Sequence, residues 1–221
     1  MKITRYGQSA LLVREGETRL LIDPGELSGD EVFLLEGLTA VAFTHEHPDH
    51  CAPDRVLQLL LKNPDALVLG GRAVIEQLAM TSDRRARALS DADVVELPEL
   101  QIRVHAGGHQ LIHASVPVIE NLGFMVTDPS GTRLFHPGDS YQVAPSDVDV
   151  LALPIVGPWG SLREAVSFAD TVMPRRMFPI HDVHLSGSGR ALFWPWIQRF
   201  SCNDIEGFDP APGREFDLAR R

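Results

Sequence analysis

Two cysteines, Cys51 and Cys202, are the only thiols in this 221-residue chain. So few exclude a disulfide scaffold and a four-thiolate zinc site. Cys51 directly follows His50, which leaves a metal ligand or a packed thiol; the packed thiol is favoured, since free Cys is among the most buried residue types. Basic charge is also short, with 20 Lys and Arg against 30 Asp and Glu and a net charge of −10. Nucleic-acid affinity rests on Lys and Arg neutralising phosphates, so this balance argues against extended nucleic-acid binding. The one local cluster, Arg84, Arg85 and Arg87, reads as a solvated helix face. Long apolar runs are missing, and none approaches the length of a membrane span. Met1-Lys2-Ile3-Thr4-Arg5-Tyr6 enters strand-like alternation without the basic-then-apolar layout of a signal peptide. The expectation is a cytoplasmic protein with a small-molecule substrate, no membrane or nucleic-acid partner, and self-association into a homo-oligomer left open.

Low-complexity segments, solenoid-period repeats and linkers are absent too, so one domain over residues 1–221 is expected. Ser9 to Arg14 and Thr18 to Ile22 flank Glu15-Gly16-Glu17, a hairpin signal. Val41 to Thr44 is a short apolar run ending at a His-rich segment. A helix is expected from Pro53 or Asp54 through Leu61, a strand over Ala66 to Leu69 and a helix over Arg72 to Met80. Further strands are expected at Gln101 to His105, Gly123 to Thr127, Arg133 to His136, Val148 to Leu153 and Arg176 to Ile180. Helices are expected at Leu162 to Val172 and Gly189 to Phe200. Strands first and helices mixed in later favour an α+β protein built as an αβ/βα sandwich.

Chemistry concentrates in Thr44-His45-Glu46-His47-Pro48-Asp49-His50. Neutral imidazole and carboxylate oxygen are preferred ligands of zinc and similar ions. A solvated polar loop is the plain alternative, but three His at the end of an apolar strand weigh against it. The helical His-Glu-x-x-His motif does not fit, because Asp49 stands where its second His would be and Pro48 disfavours a continuous helix. His45 and His47, two apart in extended geometry, point to the same side. Three other places put a polar residue after an apolar strand: His109 after Gly107-Gly108, Asp139 in His136-Pro137-Gly138-Asp139, and His181 in Pro179-Ile180-His181-Asp182. Each alone reads as an ordinary loop residue. Together with the first segment they make seven candidate ligands.

The order His-x-His-x-Asp-His, then His, Gly-Asp and His resembles the metallo-β-lactamase superfamily. Gly7-Gln8-Ser9-Ala10, Asn121-Leu122-Gly123-Phe124 and His136-Pro137-Gly138-Asp139-Ser140 are similar to its ascorbate-6-phosphate lactonase-like branch. The resemblance runs from about Ile3 to Arg199 and implies a four-layer sandwich. It implies that His45, His47 and His109 hold one metal, that Asp49, His50 and His181 hold another, and that Asp139 bridges them. Asp23 would orient the site through hydrogen bonds. His113, in the same loop as His109, is a rival ligand. Gln8 stands where the branch usually carries His, which weakens a polar contact near the metals without removing a ligand.

The function so implied is a hydrolase with two divalent ions, zinc first and manganese or iron as alternatives, acting on a small ester, lactone or phosphoester. The two ions would share a hydroxide as nucleophile. Asp49 and Asp139 would contact that water, and His113, His136 and His184 are candidate proton donors. Trp159 reads equally as pocket wall or packed aromatic. Anionic substrates are expected to bind better than neutral ones, with Arg163 or Arg176 as contacts unless they are ordinary surface charges. Two other readings are a non-heme iron redox enzyme and a non-catalytic metal-binding protein. Di-iron members usually carry a carboxylate where this chain has His47, and a non-catalytic protein need not keep all seven ligands.

Overall fold

Short apolar runs broken by turn residues become strands, and the strands join into two seven-stranded sheets. The computed structural model describes residues 1–202 and 204–219. The first sheet holds β1 (Lys2–Arg5), β2 (Leu11–Glu15), β3 (Thr18–Ile22), β4 (Ala40–Ala42), β5 (Leu67–Gly70) and β6 (Ala86–Ala88). The second holds β7 (Val94–Glu96), β8 (Gln101–Gly108), β9 (Glu120–Thr127), β10 (Arg133–His136), β11 (Val150–Pro154), β12 (Arg176–Ile180) and β13 (Glu206–Gly207). β14 (Phe216–Asp217) returns to pair with β1. In each sheet hairpin-linked antiparallel strands give way to parallel ones, at β3–β4 in the first and β10–β11 in the second. The parallel strands are covered on both faces, as their unbroken apolar stretches require: all of β4 and all of β11 are buried.

The layers follow from alternation. One face of each sheet supplies the central core, with Ile3, Leu20, Ile22, Val104, Phe124, Val126 and Phe178 between the sheets. The other face of the first sheet packs on α1 (Pro53–Lys62) and α2 (Arg72–Gln77) through Val41, Phe43, Val56, Leu59 and Val74. The other face of the second packs on α3 (Leu162–Val172) and α4 (Gly187–Phe200) through Leu151, Leu153, Phe168 and Ile197. Helix, sheet, sheet, helix is the four-layer αβ/βα sandwich expected from the sequence.

Local chemistry sets the element ends. Pro53 opens α1, where its missing N–H costs least. Ser161 and Glu164 form a reciprocal capping box at the start of α3. The helix expected to reach Met80 stops at Gln77, because Ala79 adopts a left-handed φ of 54°. The arginine cluster is not a helix face: Arg84 and Arg85 lie in a turn and Arg87 in β6. Arg85 there clamps Asp83 with a 2.7 Å contact. The strand expected from Val148 begins at Val150, past Asp147 at φ 62°. Among the described residues, no helix is long and apolar enough to cross a membrane.

Candidate metal centre

The seven candidate ligands and Asp23 sit where strands run out at the same edge of the sandwich. Asp23 follows β3, the segment from Thr44 to His50 follows β4, and His109 follows β8. Asp139 follows β10, and His181 follows β12. The Thr44 carbonyl accepts from the Leu122 N–H at 2.8 Å, which ties the end of β4 in the first sheet to β9 in the second. Two glycines permit the approach. A Cβ on Gly25 would overlap the Asp49 backbone, and one on Gly138 (φ +63°) would overlap Asn121 and Thr44. Gln8, Asp23 and His181 all hold left-handed φ angles of 44–56°. Such backbone is costly for residues other than glycine and tends to gather at functional sites.

The structure gathers the seven residues into two groups, His45 with His47 and His109, and Asp49 with His50, Asp139 and His181. Within each group one donor atom per residue lies within 4.8 Å of every other. Asp139 faces both groups: its Oδ1 is 3.0 Å from His50 Nε2, and its Oδ2 is 3.1 Å from His181 Nε2 and 3.4 Å from His109 Nε2. His45 Nε2 is 4.0 Å from the same Oδ2.

Hydrogen bonds on the far side of the rings set which nitrogen faces inward. Asp23 Oδ2 takes His50 Nδ1 at 2.7 Å and also accepts from Thr44 Oγ1 at 2.7 Å. His45 Nδ1 meets Thr44 Oγ1 at 3.0 Å, His109 Nδ1 the Gln110 carbonyl at 2.6 Å and His181 Nδ1 the Val156 carbonyl at 2.5 Å. A ring that donates Nδ1–H to an acceptor presents Nε2 with its lone pair free, the arrangement metal-ligating His requires. His50 Nε2, His109 Nε2 and Asp139 Oδ1 are buried and carry no hydrogen bond. Buried polar atoms are almost always satisfied, so donor atoms that crowd together without a hydrogen bond, His50 Nε2 and Asp139 Oδ1 only 3.0 Å apart, fit a cation.

The electrostatics divide along the same line. Burial, with neighbouring imidazoles, pushes the pKa of His45 and His47 below the ordinary value, so these rings are neutral. Burial also opposes charge on His50 and His181, but facing carboxylates outweigh it. Asp139 and Asp23 raise His50, and Asp139 and Asp49 raise His181 to about 9. Burial pushes Asp139 and Asp49 up, yet the imidazoles of His50 and His181 hold both below the usual carboxylate range.

A cavity opens on the cluster, lined by His47, Asp49, His109, Asp139 and His181 together with Trp159, His184 and others. His113 lies outside it, exposed, with Nδ1 turned to Ser115 at 2.8 Å. His136 is fully buried and bonds the Ser9 carbonyl at 3.0 Å, a structural contact. Cys51 is a packed thiol in the core beside α1, its pKa pushed up to about 12 by burial.

Known proteins share this arrangement of sheets. The model of the β-lactamase superfamily domain matches residues 2–181. Protein Rv0786c of Mycobacterium tuberculosis is 38% identical over 208 residues, 93% of this chain and 95% of that protein. The chain belongs to the metallo-β-lactamase superfamily. A relative named UPF0173 metal-dependent hydrolase, from Pyrobaculum arsenaticum, is 25% identical over 82% of this chain and 84% of its own. The metallo-β-lactamase fold protein YhfI from Bacillus subtilis superposes with a TM-score of 0.75 at 17% identity, covering 97% of this chain and 98% of that one.

Two contributors to this metallo-β-lactamase centre are only faintly marked in the sequence. Gln8, read as a weakened contact, places its Nε2 2.8 Å from Asp49 Oδ2 and 2.9 Å from His181 Nε2. Trp159, read equally as packing, donates Nε1–H to Asp139 Oδ2 at 2.9 Å. Only the Gly-Pro-Trp-Gly turn that carries Trp159 hinted at its role, since such turns aim side chains sharply.

Proposed function

We propose that the protein is a metal-dependent hydrolase whose two residue groups each hold a divalent cation. His45, His47 and His109 would hold one, Asp49, His50 and His181 the other, and Asp139 both. The observation that carries this reading is the position of Asp139, its Oδ1 3.0 Å from His50 and its Oδ2 shared between His181 at 3.1 Å and His109 of the other group at 3.4 Å. Two cations so placed would supply water of lowered pKa and neutralise charge developing on substrate oxygen. Imidazole with carboxylate suits zinc first, with manganese or iron as alternatives.

The chain's own residues supply the rest. Asp49 is the most exposed carboxylate of the cluster and lines the cavity, so it can accept a proton from water entering there. Trp159 Nε1–H holds the Asp139 carboxylate in one orientation. His184 lines the same cavity and is the imidazole placed to return a proton to a leaving group. The substrate would be a small ester, lactone or phosphoester, classes that follow from the likeness to the lactonase-like branch. Redox iron chemistry has less support, since His47 offers an imidazole where the di-iron members of the superfamily usually carry a carboxylate.

Metal analysis of protein purified without added metal, joined to a substrate panel with and without chelator, tests the reading. Two equivalents of a divalent ion and chelator-sensitive hydrolysis are expected. Full hydrolysis after chelation would reject it, and oxygen consumption with a reductant would move it to redox chemistry.

A further inference from the structure

Resting on the hydrolase reading above, we infer that this centre acts on an uncharged ester or lactone with an apolar acyl chain, and not on an anionic phosphoester. The cavity measures about 360 Å³, and its walls beyond the metal-facing residues are mostly carbon: Leu27, Pro48, Ile112, Pro158 and Trp159. No Lys or Arg lines it, and the one additional formal charge at its rim is the carboxylate of Glu26. Recognition of phosphate or carboxylate draws on Arg forks or Lys, and neither is present.

The two arginines expected to serve an anionic substrate are elsewhere. Arg176 begins β12, whose other end carries His181, and its guanidinium lies 4.3 Å from the centre of the Phe208 ring. Arg163 is a residue of α3 outside the cavity lining. Charge inside the site gives no surplus to attract an anion. The carboxylates of Asp23, Asp49, Asp139 and Glu26 together offset two divalent cations, and the chain's net charge of −10 repels anions at long range.

The segment after His109 adds a second observation. Its side chains are exposed from Leu111 to Val118, and four of them are aliphatic: Leu111, Ile112, Val116 and Val118. Single exposed apolar residues are ordinary on a protein surface. Here four fall within eight residues on the connection leaving a metal-facing histidine, and Ile112 forms part of the cavity wall. Leu27, on the same cavity, is 41% exposed. An acyl chain leaving the reacting carbonyl would lie between Leu27 and Ile112, covering carbon that otherwise faces water.

The test uses the metal-loaded protein with p-nitrophenyl acetate, butyrate and hexanoate, the anionic mono-p-nitrophenyl succinate, and p-nitrophenyl phosphate. The expected result is a kcat/KM that rises roughly threefold per added methylene, with the succinate ester at least about tenfold below the butyrate ester and the phosphate slowest. Leu27→Ser and Ile112→Ser should each flatten the acyl-length gradient. A flat or inverted gradient, or preference for the succinate ester or the phosphate, would overturn the inference. Calorimetry with hexanamide against succinamate decides the same question without turnover, with tighter binding of hexanamide expected. Absence of chelator-sensitive hydrolysis alongside that binding preference would count against the hydrolase reading and leave this inference standing; equal or reversed binding would remove it.

Discussion

The two halves of the centre are built on opposite electrostatic plans. The three-histidine group draws its rings from two loops, and burial keeps His45 and His47 uncharged. The other group carries two carboxylates, and these raise His50 and His181 against the cost of burial. Support differs as well. His50 leans on Asp23, itself fixed by the Thr44 backbone N–H and hydroxyl, and Asp49 and His181 both touch Gln8. In the three-histidine group, His109 Nδ1 leans on a backbone carbonyl next to it in sequence. His45 and His47 have no proton to displace, whereas a cation at the other half would take the place of the protons that the carboxylates favour on His50 and His181. The contrast predicts that changes at Gln8 act on one half, that changes at Asp23 act first on His50 and more weakly on His45 through the Thr44 hydroxyl, and that changes at Asp139 act on both.

Asp139→Ala should have the largest effect. Loss of both metal equivalents and a fall in kcat/KM of at least about a hundredfold are expected, read by metal analysis and steady-state kinetics; retention of one full equivalent would end the bridging assignment. His109→Ala should come next, lowering affinity at the three-histidine group alone. His113→Ala should leave metal content unchanged, and a reversal of these two results would transfer the ligand role to His113. Asp23→Asn keeps shape but replaces the acceptor of His50 Nδ1. It should weaken the carboxylate-bearing half by roughly 10–100-fold in a chelator-competition titration, with a smaller loss in the other half, reached through the Thr44 hydroxyl and His45.

Gln8→Ala should act in the same direction as Asp23→Asn but less, roughly tenfold, because one amide is lost and the rings keep their outer partners. Equal weakening of both halves would show that Gln8 supports the loop and not one group. The smallest effect on the centre, none, is expected of Asp128→Asn, in the turn between β9 and β10. Burial raises the Asp128 pKa, but its bonds from Ser130 and the Thr132 N–H and the nearby N-terminal amine hold it below the ordinary value. A depressed folded pKa means stability present above about pH 4 and lost as pH falls through the folded value. The variant should lose roughly 1–3 kcal/mol at neutral pH in denaturant unfolding, and that loss should shrink on acidification. Altered metal affinity in this variant would show that the two-plan description is not local to the site.

Much of the candidate site was legible because its donor residues stand directly after apolar strands. His45, His47, Asp49 and His50 cluster within six positions, and no competing reading places so many imidazoles at a strand end. His109, Asp139 and His181 were each ambiguous alone, and they were assigned through the likeness to a family. Gln8 and Trp159 were harder. A glutamine in a turn and a tryptophan between glycines carry no motif of their own, and their roles exist only through atoms far along the chain, 41 residues away for Gln8–Asp49 and 20 for Trp159–Asp139. The short strands β6, β7, β13 and β14 were missed because two or three residues leave no period to read.

By itself the sequence determined which residues can bind a cation and that each lies at the end of a strand. Both facts are local: donor chemistry belongs to the side chain, and strand ends are marked by alternation and turn residues within a few positions. Which rings share a group, which histidine of the loop after β8 turns inward, and what kind of wall surrounds the reacting atoms were decided only in three dimensions. The parallel strands β3–β4 and β11–β12 bring their ends to one edge. Closure of the two sheets over a shared core then places carbon from Leu27 and Ile112 at the mouth and leaves Arg176 at the opposite end of β12. Distance and burial set the charge of a titratable group and the polarity of a cavity, and neither is a property of neighbours in sequence.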